Sequence, residues 1–166
     1  MIVIGIDPGT AITGFGVIKS TKKDPLEVIS YGCVKTPAGQ EMSLRLLSMF
    51  NEIEILFDKY KPPQIAIERI FFNTNAKTAL SVGQARGVVM LAAAKRDITI
   101  FEYTALQAKL ILTGYGRATK KEMQEAVPRY LKMGGRIKQD DAADGLAMAI
   151  TNLVKTGYIS SHEISS

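Results

Sequence analysis

The chain has 166 residues, 46% hydrophobic and 22% charged, an ordinary balance for one globular domain with a single substantial core. Its one cysteine (Cys33) and one histidine (His162) exclude an intramolecular disulfide and make zinc sites and Ser–His–Asp catalysis poor fits. The net charge is +5, but residues 61–139 hold 14 Lys/Arg against 5 Asp/Glu, so basic charge sits mid-chain and points to a polyanionic partner.

Ile2–Asp7 reads as a strand ending in the turn sequence Asp7-Pro8-Gly9-Thr10. Asp7 interrupts this apolar run too early for a secretory signal, and the longest apolar run, Val88–Ala94, is far short of the ~20 residues that span a bilayer. A soluble, cytosolic protein is expected. Thr13–Ser20 and Glu27–Lys35 are predicted as two further strands of an antiparallel meander. Apolar residues at Leu44, Leu47, Phe50, Ile53, Leu56 and Phe57 recur near the helical period and predict a helix over Glu41–Tyr60, stopped by Lys61-Pro62-Pro63. Gln64–Arg69 is then a short strand, with Ile65 and Ile67 on one face and Ala66 and Glu68 on the other.

A second long helix is expected over Ala76–Arg96, followed by a strand over Ile98–Glu102. Thr104 is placed to cap a helix through Leu112 that ends at Gly114. Thr119 and Glu122 have capping-box spacing and open a helix towards Met133, which Pro128 should kink or shorten. The last helix starts near Asp140 or Asp141 and ends near Gly157. Three antiparallel strands followed by alternating helices and strands predict an α/β fold with a mixed five-stranded sheet flanked by helices. One domain is expected over residues 1–157, with a tail over 158–166.

With cysteine and histidine scarce, chemistry falls to oxygen ligands, which suit magnesium or manganese. Asp7 ends the first strand, Glu68 lies near the end of the fourth, and Asp141 and Asp144 share a helix face. If the first and fourth strands are neighbours and the last helix crosses them, the four carboxylates converge. Such like charges would take up protons unless cations held them together. Two Mg²⁺ ions about 3.5–4 Å apart could then activate water and stabilise the leaving oxygen of a phosphodiester. Asp140 reads as a helix cap. Glu68 is the hardest to explain as structure alone, because charge is unusual on a short apolar strand.

GIDPGT at 5–10, AIERIFF at 66–72, GQARG at 83–87 and DAADGLAMAI at 141–150 together resemble the RuvC family of Holliday-junction endonucleases, in the family's order and spacing over essentially the whole chain. The resemblance implies a ribonuclease-H-like fold and a homodimer that makes paired nicks in four-way junction DNA during recombination and repair. It places the catalytic, metal-holding carboxylates on Asp7, Glu68, Asp141 and Asp144. Mg²⁺ is the expected cofactor, two per site, with Mn²⁺ able to substitute. Products with a 5′-phosphate and a 3′-hydroxyl are expected, as is a working partnership with the RuvA–RuvB branch-migration complex. Lys109 and Lys120 match basic residues of the family, and the loop GYGRATKK adds Arg117 and Lys121 as a phosphate clamp. By family position Phe71 is the candidate to stack on an unpaired base. Gly83 and Gly87 are read either as close packing against the sheet or as a helix crossing at a two-fold axis.

An actin-like phosphotransferase shares the Asp-containing turn but needs a second domain to enclose ATP. A non-catalytic DNA-binding module leaves the carboxylates without a purpose. Ribonuclease H has similar acids but attacks RNA–DNA hybrids.

Overall fold

Alternation along the first strand, β1 (Ile2–Asp7), assigns the two faces of the sheet: Ile4 and Ile6 enter one apolar cluster, and Val3 enters another on the opposite side. Gly5 and Asp7 share the face of Val3. The computed structural model describes residues 1–21, 26–70 and 76–159. Phe71, Phe72 and His162 lie outside these described residues.

β1 pairs antiparallel with β2 (Ile12–Lys19), which pairs antiparallel with β3 (Glu27–Lys35), forming the expected meander. On its other edge β1 runs parallel to β4 (Gln64–Glu68), and β4 parallel to β5 (Thr99–Tyr103). The order is therefore β3-β2-β1-β4-β5, the mixed five-stranded sheet of the ribonuclease-H-like fold. Helices α1 (Met42–Tyr60) and α2 (Ala76–Ala94) cover the Ile4/Ile6 face through Met49, Ile53, Phe57, Ala85 and Val89. Helices α3 (Ala105–Thr113), α4 (Lys120–Tyr130) and α5 (Asp140–Lys155) cover the other.

Helix boundaries follow local chemistry. Thr104 and Thr119 each complete a capping box, with Gln107 and Glu122 respectively. Lys61 takes a left-handed conformation and its N–H closes α1 on the Phe57 carbonyl at 2.8 Å. Helix α4 runs through Pro128 to Tyr130 and ends there, not near Met133; it is closed by a left-handed Lys132 (φ 51), whose N–H bonds the Arg129 carbonyl at 3.1 Å while the Met133 N–H bonds the Pro128 carbonyl at 2.9 Å. Beyond α5, Tyr158 and Ile159 pack against the α3–α5 core.

The contact that matters most for function is α5 against β1 and β2. Glycines on both sides bring backbone onto backbone: a Cβ at Gly5 would stand 2.0 Å from the Gly145 carbonyl oxygen, and one at Gly14 would stand 1.8 Å from the Asp141 carbonyl oxygen. A Cβ at Gly145 would lie 2.7 Å from the Phe15 Cα. Small residues on α5, including Ala142 and Ala149, complete this close seam. At the far end of the helix, the Tyr103 hydroxyl donates to Asn152 Oδ1 at 2.9 Å, a buried bond that fixes α5 relative to β5.

Gly83 and Gly87 do not make a comparable contact. A Cβ at either would meet nothing within 4 Å, so the reading as close packing against the sheet is set aside.

Gly14→Ala should lose about 3 kcal/mol of stability in urea unfolding, because the added carbon meets backbone that cannot yield. Gly134→Ala, where the added carbon meets open space, should stay within about 0.5 kcal/mol of the parent protein.

Candidate active site

The parallel pairing of β1 and β4 aligns Gly5 with Ala66 and Ile6 with Ile67, so the next residue on each strand is Asp7 and Glu68. Both share the sheet face that α5 covers. The turn after Asp7 is held from several directions. The Thr13 hydroxyl donates to the Gly9 carbonyl at 2.8 Å, and Arg45 on α1 donates from Nη2 to the Thr10 carbonyl at 3.0 Å. Thr36 bonds the same carbonyl, and Arg45 Nε reaches the Thr36 hydroxyl at 3.0 Å. Asp7 thus leaves a clamped strand end.

The glycine seam lays the first turns of α5 across this edge. Asp7 comes within electrostatic reach of Glu68, Asp141 and Asp144, and Asp144 within reach of Glu68 and Asp141, the electrostatics of crowded acids. Burial pushes the Asp7 carboxyl up to about 7, reinforced by the charges of Glu68 and Asp141. Asp144 is pushed up to about 6 by burial and then by Asp7, with Lys120 opposing. Burial, then the charge of Asp144, also raises Glu68. The shared bond between Asp7 and Glu68 raises the first and lowers the second, as expected when protonated Asp7 donates to ionised Glu68.

An open pocket of about 210 Å³ is lined by Glu68 and Asp144 together with Lys109 and Lys120; Asp7 and Asp141 are not among its lining residues. Lys109 favours the ionised form of Glu68, and Lys120 does so for Asp7 and Asp144. Burial works against the Lys120 ammonium, but its bond to Asp140 and the surrounding acids more than offset that and leave its pKa above the ordinary lysine value. Arg117 and Lys121 are exposed and do not line the pocket.

Two features were not legible in the sequence. Met123 and Met148 form part of the pocket wall, although as isolated apolar residues they read only as core. Asp140 is not the cap of α5: Gln139 holds that position, and Asp140 is the first helical residue. Its carboxylate accepts from Gln124 Nε2 and pairs with Lys120 Nζ at 3.4 Å.

Among the described residues, no group of three or more His, Cys, Asp or Glu side chains stands in a ready-made metal-holding arrangement. The donor chemistry nevertheless fits a hard divalent cation. Every candidate ligand is a carboxylate oxygen, burial and mutual repulsion raise these acids where a cation would relieve them, and an open site leaves room for the water and phosphate that magnesium retains.

Comparison with known proteins agrees with this geometry. A family model described as crossover junction endodeoxyribonuclease RuvC matches residues 3–152. The chain is 51% identical over 150 residues to the crossover junction endodeoxyribonuclease RuvC of Ruminiclostridium cellulolyticum, covering 90% of each chain. It is 41% identical to that of Caldicellulosiruptor saccharolyticus, covering 96% of each. Among solved structures, Thermus thermophilus RuvC in complex with Holliday junction substrate superposes with a TM-score of 0.87 at 28% identity, over 94% of each chain.

The raised acids give a pH signature. With its pKa at about 7 in the fold against 3.8 for the ordinary group, Asp7 binds a proton in the folded state that the unfolded state releases between those values. In EDTA, stability should therefore fall as pH rises from about 4 to 7. Thermal unfolding should show Asp7→Asn to be more stable than the parent at pH 8 by about 2 kcal/mol, and Mg²⁺ should close that gap by stabilising the parent.

Proposed function

The chain belongs to the RuvC family of crossover junction endodeoxyribonucleases, and on that basis we propose that it resolves four-way (Holliday) DNA junctions by paired symmetric nicks, in homologous recombination and DNA repair. The carrying observation is that Glu68 and Asp144, within electrostatic reach of Asp7 and Asp141, line one open pocket with Lys109 and Lys120. Acids and ammonium groups lining one pocket suit a phosphodiester bound between them.

In this reading Asp7, Glu68, Asp141 and Asp144 hold two Mg²⁺ ions, with Mn²⁺ able to substitute. When bound, such ions supply an activated water and charge stabilisation for the leaving oxygen. The chain's own residues do the rest. The clamped Asp7 turn and the α5 seam keep the carboxylates in register with each other. Lys109 and Lys120 engage phosphate oxygens at the rim, orienting the scissile bond and offsetting its charge. Arg117 and Lys121, outside the pocket, reach neighbouring phosphates along the backbone. Phe71 follows Glu68 by three positions and supplies the base-stacking contact. The products carry a 5′-phosphate and a 3′-hydroxyl.

Paired nicking requires two sites, and α2 offers a surface for a two-fold axis. Leu80, Gly83, Gly87 and Leu91 fall on one exposed stripe, with Leu80 68% and Leu91 58% exposed, and the glycines leave room for a second helix to approach. A homodimer joined here carries two equivalent sites. The working unit extends through Ile159, past the expected boundary at 157, because Tyr158 and Ile159 pack against the core; it acts in the cytoplasm and receives its junction from the RuvA–RuvB branch-migration complex. Among the described residues no helix is long and apolar enough to cross a membrane.

Incubated with Mg²⁺, the protein should nick a mobile four-way junction symmetrically and leave linear duplex and ATP intact; preferential cleavage of an RNA–DNA hybrid would overturn the reading. Asp7→Asn should cut about a thousandfold more slowly while its junction affinity in gel-shift assays changes little. The double variant Leu80→Asp, Leu91→Asp should sediment as a monomer at micromolar concentration and turn paired nicks into single ones. Full paired cleavage by that monomer would contradict the dimer account.

A further inference from the structure

Asp140 lies next to the carboxylate site without belonging to it. Its side chain is 48% exposed, in contrast to the burial that raises Asp7, Glu68 and Asp144. Both of its carboxylate oxygens are already engaged: Oδ1 accepts from Gln124 Nε2, and Oδ2 pairs with Lys120 Nζ at 3.4 Å. Gln124 is itself braced, since its Oε1 accepts from Arg136 Nη2 at 2.8 Å. A chain of contacts therefore runs from Arg136, before α5, through Gln124 on α4 and back to the first residue of α5, ending on the lysine that faces the pocket.

We propose that Asp140 is a positioning residue for cleavage: its braced carboxylate holds the Lys120 ammonium at the rim of the carboxylate pocket until a DNA phosphate takes it over. The proposal rests on the nuclease reading of the same pocket. Three observations carry it. The contact is not a helix cap: Thr119 and Glu122 close the start of α4, Gln139 at the cap position of α5 makes no side-chain hydrogen bond, and the Asp140 carboxylate is spent on the side chains of Gln124 and Lys120. Lys120 sits in the first turn of α4, where the helix dipole disfavours a cation, so an acid beside it has a local task. The pair is exposed, 63% at the lysine, and such pairs hold weakly; it can orient the ammonium yet yield it to phosphate. Asp144 stands one turn further along the same face of α5 and lines the pocket, whereas Asp140, at the first residue of the helix, reaches Lys120 and Gln124 on α4.

The test is a double-mutant cycle of Asp140→Asn and Lys120→Ala, with single-turnover junction cleavage, junction affinity in EDTA, and Mg²⁺-dependent thermal stabilisation measured on each protein. Asp140→Asn should slow single-turnover cleavage about five-fold with junction affinity equal or tighter. Asp140→Glu should recover most of that rate. In the Lys120→Ala background Asp140→Asn should change the rate less than two-fold, and the Mg²⁺ concentration for half-stabilisation should be unchanged throughout. A rate loss that persists without Lys120, or a shift of more than three-fold in the Mg²⁺ midpoint, would overturn the proposal by making Asp140 a structural residue or a metal ligand. The affinity and metal measurements do not require cleavage, so failure of this role is distinguishable from failure of the nuclease reading, which cleavage by the parent protein decides.

Discussion

The approach of α5 to the sheet, backbone against backbone, is the constraint on which the site depends. Two of the four acids, Asp141 and Asp144, gain their positions from it. Asp7 is fixed by its strand, but Asp141 and Asp144 come within electrostatic reach only because Gly5, Gly14 and Gly145 remove the side chains that would hold the helix away. An ordinary helix–sheet interface keeps layers about 10 Å apart, a spacing set by interdigitating side chains. Here the seam replaces that layer at one end of the helix, while Leu146, Ile150 and Leu153 restore ordinary apolar burial further along. The helix is thus pressed down at its acidic end and supported at its apolar end.

Close approach has an electrostatic cost. Acids that meet in a half-buried site repel one another and lose solvation, which is why Asp7 and Asp144 are held well above their ordinary values. The fold offsets part of this internally through Lys109 and Lys120, which line the same open pocket as Glu68 and Asp144. The same two lysines moderate the acids in the free protein, and under the proposed function they would also meet phosphate. On that reading stability and function are coupled through one set of charges.

The parts of this design carried by side-chain chemistry were readable from sequence. Turn residues after Asp7, the capping boxes at Thr104 and Thr119, the helical period of α1 and the alternation in Gln64–Glu68 each act over a few residues, and each is found where it was expected. The acids could be singled out because charge is unusual at the ends of short apolar strands, whereas Lys109 and Lys120 read as ordinary surface lysines and were picked out only by the resemblance; both line the pocket. The seam was not legible, because Gly5, Gly14 and Gly145 are far apart in sequence and only their meeting gives them meaning. Gly83 and Gly87 show the converse: a small-residue pair that could serve close packing turns out to face open space. Asp140 was misread for the same reason, since its partners Lys120 and Gln124 lie on another helix, and a cap is all that local spacing suggests for an acid at that point.

Strand alternation finally explains how one sheet serves two surfaces. On β1, Ile4 and Ile6 face the layer of α1 and α2, whereas Gly5 and Asp7 face α5, so the exposed α2 stripe and the acidic pocket stand on opposite sides of the sheet. Two protomers meeting through α2 would then leave both pockets open to DNA. The sides are joined at the strand ends: Arg86 on α2 pairs with Glu102 on β5, and Glu102 also takes Arg69, the residue after Glu68, at 3.4 Å. The Arg69 N–H is further tied to the Tyr103 carbonyl at 2.7 Å. A displacement of α2 would therefore be felt first at the end of β4, the strand that carries Glu68 into the site.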